Sequence, residues 1–148
     1  MLLAMPERDF YHDVVKQALE KDEWVITHDP LVVRVGDARL YVDLAAEKLL
    51  GATKGNHRIA VEIKSFLGAS FFSEFYTAVG QYTSYSTALN LINTARVLYL
   101  AVPLDTYDNF FTTSFIQSIL ATAQINLIIY NTVEAKVVQW IAAPPTAR

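Results

Sequence analysis

The chain has 148 residues, 53% hydrophobic and 12% aromatic, with only five glycines and five prolines, a balance that excludes a disordered chain and fits one domain. Charged residues make up 18% and mean hydropathy is +0.24, but the uncharged runs 75–95 and 109–133 are laced with Ser, Thr, Asn, Gln and Tyr and do not read as membrane spans. A net charge of −3 excludes a strongly basic DNA-coating protein, and the lack of cysteine excludes disulfides and thiolate metal sites.

Residues 1–4 are too short for the apolar stretch of a signal peptide before Pro6, Glu7 and Arg8 intervene, so a cytoplasmic protein is expected. No linker or repeat divides the chain: one domain over 1–148 is expected, with 1–5 as an N-terminal extension and 142–148 as a loose tail. The charges are uneven. Residues 1–74 carry nine Lys/Arg and twelve Asp/Glu, while residues 75–148 carry three of each. The first half is therefore the place to look for chemistry, and the second half looks built for burial.

Pro6 followed by Phe10, Val14, Ala18 and Leu19 at helical spacing predicts a first helix over 7–22. The period then becomes two. Residues 24–28 read as a strand ended by the turn signal Asp29-Pro30, and 31–35 and 39–44 as two strands joined at Gly36-Asp37. On the last of these, Leu40, Val42 and Leu44 point one way and Arg39, Tyr41 and Asp43 the other. Residues 45–50 are expected to form a helical turn and 51–57 a loop.

Residues 58–64 are the clearest strand, with Ile59, Val61 and Ile63 on one face and Ala60, Glu62 and Lys64 on the other. A long helix is expected over 70–92, with Glu74 its single charge. Its stripe Phe72, Phe75, Tyr76 and Val79 is expected in the core, leaving Phe71, Tyr82 and Tyr85 around other sides, an arrangement that suits burial against a protein partner or a second copy. The continuous apolar run 97–102 predicts a central strand covered on both faces. A helical stretch over 103–124, broken near Thr112-Thr113, and strands at 125–130 and 136–141 complete the order α-βββ-β-α-β-α-β-β, an α/β fold with a mixed central sheet flanked by helices.

Asp43, Glu62 and Lys64 are the constellation with a mechanism attached. Glu62 and Lys64 emerge side by side from one strand, and Asp43 joins them if the preceding strand is its neighbour. Two close carboxylates favour a hard cation such as Mg²⁺ or Mn²⁺, which can acidify a water and stabilise phosphoryl charge, with the lysine beside it. An ordinary surface ion pair fits the same spacing. Asp13, with Asp9 and Glu20 as alternates, could add a carboxylate from the first helix, although a solvated helix face or a partner to the helix dipole is the simpler account. Glu47 could supply another at the edge, or a loop ion pair. Lys54, His57 and Arg58 are candidate DNA-backbone contacts just before the key strand, although an ordinary surface loop also carries three basic residues. His12, His28 and His57 show no zinc-like spacing, and Ser65 has no histidine and acid partners in sight.

Asp43-(x18)-Glu62-Ile63-Lys64 resembles the PD-(D/E)xK signature of restriction-endonuclease-like proteins, with Val42 where the signature has proline. Gln81-x-x-x-Tyr85 resembles the element of RecB-like members on the following helix, which positions the lysine and contacts substrate. At closer range, Met5-Pro6-x-Arg8-Asp9-x-x-His12-Asp13, Trp24-x-Ile26-Thr27-His28-Asp29-Pro30-Leu31, Tyr41-Val42-Asp43-Leu44, Ala60-Val61-Glu62-Ile63-Lys64-Ser65-Phe66 and Gly80-Gln81-Tyr82 resemble the XisH family of fdxN-element excision controlling factors, over 5–141. That resemblance implies a restriction-endonuclease-like fold, a part in excision of a DNA element and an XisI-type partner protein. It implies a metal site at Asp43 and Glu62, with Lys64 and Gln81 completing a catalytic set and Tyr85 beside them. Cleavage of DNA by this chain, or a non-catalytic role through a partner or homo-oligomer, both remain open to it.

Overall fold

The computed structural model describes residues 7–49 and 56–144. Lys54, the N-terminal extension and residues 145–148 of the expected tail lie outside these. Among the described residues, eight strands and four α-helices form three layers. The middle layer is a six-stranded mixed sheet in the order β1-β4-β5-β6-β7-β8 (Val25–His28, Leu44–Leu49, Asn56–Ile63, Val97–Pro103, Leu127–Asn131 and Lys136–Ile141). Its central strands β5, β6 and β7 run parallel, and the flanking pairs are antiparallel. Strands β2 (Leu31–Val35) and β3 (Ala38–Val42) form a separate two-stranded ribbon, closed at Gly36, whose φ of 55° suits a tight hairpin turn.

Helix α1 (Glu7–Lys21) covers one face of the sheet, where Val14, Val15 and Leu19 pack on Leu44, Val61 and Tyr130. On the other face lie α2 (Phe71–Leu91), α4 (Ser114–Thr122) and the ribbon, joined through Phe75, Tyr82, Ile116 and Val33 to Leu98, Leu100 and Val102. β6 is thus covered on both faces, and every residue from Leu100 to Pro103 is buried. The short α3 (Leu104–Thr106) widens into a π-helical turn at Tyr107–Phe111 before α4 restarts, so the expected break near Thr112 is present.

Three expectations need correction. Residues 45–49 form strand β4, not a helical turn: Ala45 and Ala46 are fully buried between β1 and β5, where ladder hydrogen bonds override their helical propensity. The order therefore gains a strand, and the strand that neighbours β5 is β4 while β3 belongs to the ribbon. On α2, Phe72 and Tyr76 are 48% and 53% exposed, and the buried stripe is Phe75, Ala78, Tyr82 and Leu89. The Tyr82 hydroxyl donates to Leu98 O at 2.6 Å and accepts from Asn126 N at 3.0 Å, which pins α2 to the starts of β6 and β7. Residues 142–144 are not loose: Ala143 N donates to Asn126 Oδ1 at 2.8 Å, and Gln124 Nε2 donates to Pro144 O at 2.9 Å.

Candidate functional site

The chain changes sheets at Asp43. β3 ends in the ribbon at Val42, and Leu44 opens the β4–β5 ladder opposite Val61. Asp43 thus stands where the next ladder pair, with Glu62, would form. Its side chain supplies the missing partner: Ile63 N donates to Asp43 Oδ2 at 2.8 Å, while Asp43 N donates to Glu62 Oε1 at 3.4 Å. Each acid thereby reaches the other's stretch of backbone, which fixes both carboxylates at the end of the strand pair.

Glu62 is the one buried charged residue among those described, 5% exposed. Loss of hydration and the neighbouring Asp43 charge push its carboxyl up to about 7, against the partial relief given by Lys64. Lys64 Nζ lies 3.4 Å from Glu62 Oε2 and stays partly hydrated, and its backbone extends the parallel ladder by donating to Ala101 O. Phe66 follows at a φ of 58°, a left-handed turn held by ring contacts with Phe71 and Phe111.

These groups line an open cleft of about 620 Å³ beyond the carboxyl end of β5, where ligand sites of open α/β sheets gather. Asp43, Glu62 and Lys64 form its floor, Gln81 and Tyr85 of α2 one wall, and Arg39 and Tyr41 of the ribbon another. The Gln81 Oε1 atom is buried without a hydrogen-bond partner. Two carboxylates, one of them held against ionisation by burial and by the other, with an unsatisfied amide oxygen in the same cleft, suit a hard divalent cation that takes oxygen ligands and keeps several waters. Among the described residues no group of three or more His, Cys, Asp or Glu could hold a metal. The carboxylates that could hold such an ion are Asp43 and Glu62, with water to complete its shell.

The other nominated residues lie elsewhere. Asp13 is exposed, accepts from Gln17 Nε2 at 3.0 Å and does not line the cleft. Glu47 pairs across the strands with Arg58, Oε1 to Nε 3.3 Å. Four residues up β5, Arg58 is about 13 Å from Glu62; with His57 it borders a separate depression near Trp24, Tyr99 and Trp140.

Tyr11, His12, Arg39, Tyr41 and Glu74 also line the cleft. Alternation along one strand already placed Arg39 and Tyr41 on the Asp43 side, and that signal could have found them. His12 had no such signal. Its Nε2 meets Asp29 Oδ1 at 2.6 Å, and Lys16 Nζ meets the other Asp29 oxygen at 2.8 Å. Partial burial pushes the Asp29 carboxyl up, but hydrogen bonds from Lys16 and His12 outweigh it and hold it below its usual range. Glu74 turns back to accept from Gly68 N at 2.9 Å, steadying the loop that follows Lys64.

No helix among the described residues is long and apolar enough to cross a membrane. No curated protein matches the chain. The family model described as XisH protein matches residues 5–138. Two crystal structures are similar along nearly all of their own length. An XisH family protein from Nostoc punctiforme PCC 73102 is 47% identical, covers 90% of this chain and 99% of its own, and superposes with a TM-score of 0.82. An fdxN element excision controlling factor protein from Anabaena variabilis is 45% identical, with the same coverage and a TM-score of 0.81. On the family match and on these two likenesses together, the chain belongs to the XisH family.

Proposed function

We propose that this chain is an excision controlling factor, as the Anabaena variabilis relative is named, and that it acts on DNA through a metal-dependent cleft of PD-(D/E)xK type on a restriction-endonuclease-like fold. The observation that carries this reading is the convergence of Asp43, Glu62, Lys64 and Gln81 on one open cleft, with Glu62 buried beside a second carboxylate. Mg²⁺ or Mn²⁺ held by Asp43 and Glu62 would supply a water acidified for attack on a phosphodiester and would offset charge on the phosphoryl oxygen. Lys64, 3.4 Å from Glu62, then orients that water and faces the charge that develops on phosphorus. Gln81 presents its free amide oxygen to the same space and holds the lysine or the water in place. Tyr85 extends the α2 wall toward the substrate. No covalent intermediate is involved.

A second reading has its own observation. The outer face of α2 carries exposed Phe72 and Tyr76, with Phe110 and Phe115 also exposed among the described residues and no charge on the helix beyond Glu74. Such a face favours a non-catalytic protein that works through a homo-oligomer or an XisI-type partner. Supercoiled, linear and branched DNA incubated with Mg²⁺ or Mn²⁺ separates the two. Cleavage by the native chain that disappears in Lys64→Ala supports the nuclease reading. Equal cleavage by both, or by neither, rejects it.

A further inference from the structure

The β2–β3 ribbon presents a second chemical surface next to the cleft. Its inner face, with Leu31, Val33 and Val42, is buried against α2 and the sheet. Its outer face alternates out of phase: Val32 stands opposite Tyr41, and Arg34 opposite Arg39. Like charges directly opposed on an antiparallel pair have side-chain stems only about 5 Å apart and destabilise it. Neither arginine has an acid partner among the described residues, although acids outnumber bases in the chain; Lys16, Lys48, Arg58 and Lys64 each have one, and Lys21 and Arg96 instead donate to the backbone oxygens of Glu134 and Ile59. Arg39 and Tyr41 also form a wall of the acid-floored cleft, and Tyr41 is 52% exposed.

We infer that the outer face of the ribbon grips the phosphate backbone of DNA, Arg34 and Arg39 clamping it and Tyr41 lying along the strand as it enters the cleft. This deepens the proposed function by naming the element that delivers the phosphodiester. The argument is charge complementarity: an unrelieved pair of guanidiniums is costly alone and satisfied by phosphate, which guanidinium binds in a fork geometry. A cleft floored by two carboxylates repels a polyanion unless cations beside it hold the strand. Arg58, nominated from sequence for that task, is paired with Glu47 and distant from the acids.

The test is binding of a fluorescent DNA duplex by anisotropy over a series of salt concentrations, in chelator so that cleavage plays no part. Arg34→Ala/Arg39→Ala is expected to weaken binding at least tenfold at low salt and to lower the slope of log affinity against log salt by about two, one for each lost phosphate contact. Relief of the cross-strand repulsion leaves its melting temperature at or above that of the native chain. Arg34→Lys/Arg39→Lys keeps the charges and retains most of the slope, and Arg58→Gln binds like the native chain. An unchanged slope in the double alanine variant, a slope lost only with Arg58→Gln, or no binding by the native chain overturns the inference. Ribbon-dependent binding without Lys64-dependent cleavage leaves the grip standing and rejects the nuclease. Lys64-dependent cleavage indifferent to both arginines does the reverse.

Discussion

Replacing Glu62 by glutamine keeps the shape of the side chain and removes its charge. In the folded chain the carboxyl titrates near 7, against an ordinary 4.5, because burial and Asp43 oppose its ionisation. Between those two pH values the folded chain holds a proton that the unfolded chain has released. Stability from this group is therefore complete below pH 4.5, falls as pH rises to 7 and is flat above. The interval corresponds to about 3 kcal/mol, which for a chain of 148 residues is roughly 6–12 °C in melting temperature. In chelator, native protein should lose that much more than Glu62→Gln between pH 4.5 and 8. If the acid pair holds the proposed cation, adding Mg²⁺ at pH 8 should restore the native chain, because such binding would favour the folded state alone, and should leave Glu62→Gln unmoved. Parallel melting curves for the two proteins across pH would refute the claim that Glu62 is held against its charge.

Asp43→Ala strips Ile63 N–H of its acceptor and should cost about 1–3 kcal/mol in denaturant unfolding, whereas Asp43→Asn keeps an acceptor and should fold with under half that loss. Tyr82→Phe leaves Asn126 N–H without its partner and should lower stability by about 1–3 kcal/mol, read by urea titration; a neutral result would show that α2 is not pinned there. If the outer face of α2 joins two copies, Phe72→Ser/Tyr76→Ser should shift the mass seen by light scattering to that of a monomer. A native chain that is already monomeric at all concentrations refutes self-association there.

Much of the site was legible because strands alternate. Period two places Glu62 and Lys64 on one side, and Arg39, Tyr41 and Asp43 on another, with no knowledge of the fold. The sheet switch at Asp43 was not legible, because residues 45–49 include Ala, Glu, Lys and Leu, good helix formers that only the flanking strands β1 and β5 force into extension. Once β4 is known, Arg58 and Glu47 become cross-strand partners, well up β5 from the two acids. The buried side of α2 was misjudged for a different reason: nearly every turn carries an apolar residue, so periodicity hardly favours Phe75 and Tyr82 over Phe72 and Tyr76. His12 and Asp29 are seventeen residues apart and meet only because α1 lies across the turn after β1.

The passage of the chain from ribbon to sheet at Asp43 has a mechanical side. Only three residues, Leu40 to Val42, separate the arginine at the cleft wall from the carboxylate at its floor, and all three are in extended backbone that transmits displacement with little slack. Asp43 is in turn bolted to β5 through Ile63. A pull on the ribbon is thus carried straight to that bolt instead of being lost in a loop. Were the ribbon to hold DNA and the two acids a cation, any coupling carried by that connection would be reciprocal, each ligand changing the other's affinity by the same factor.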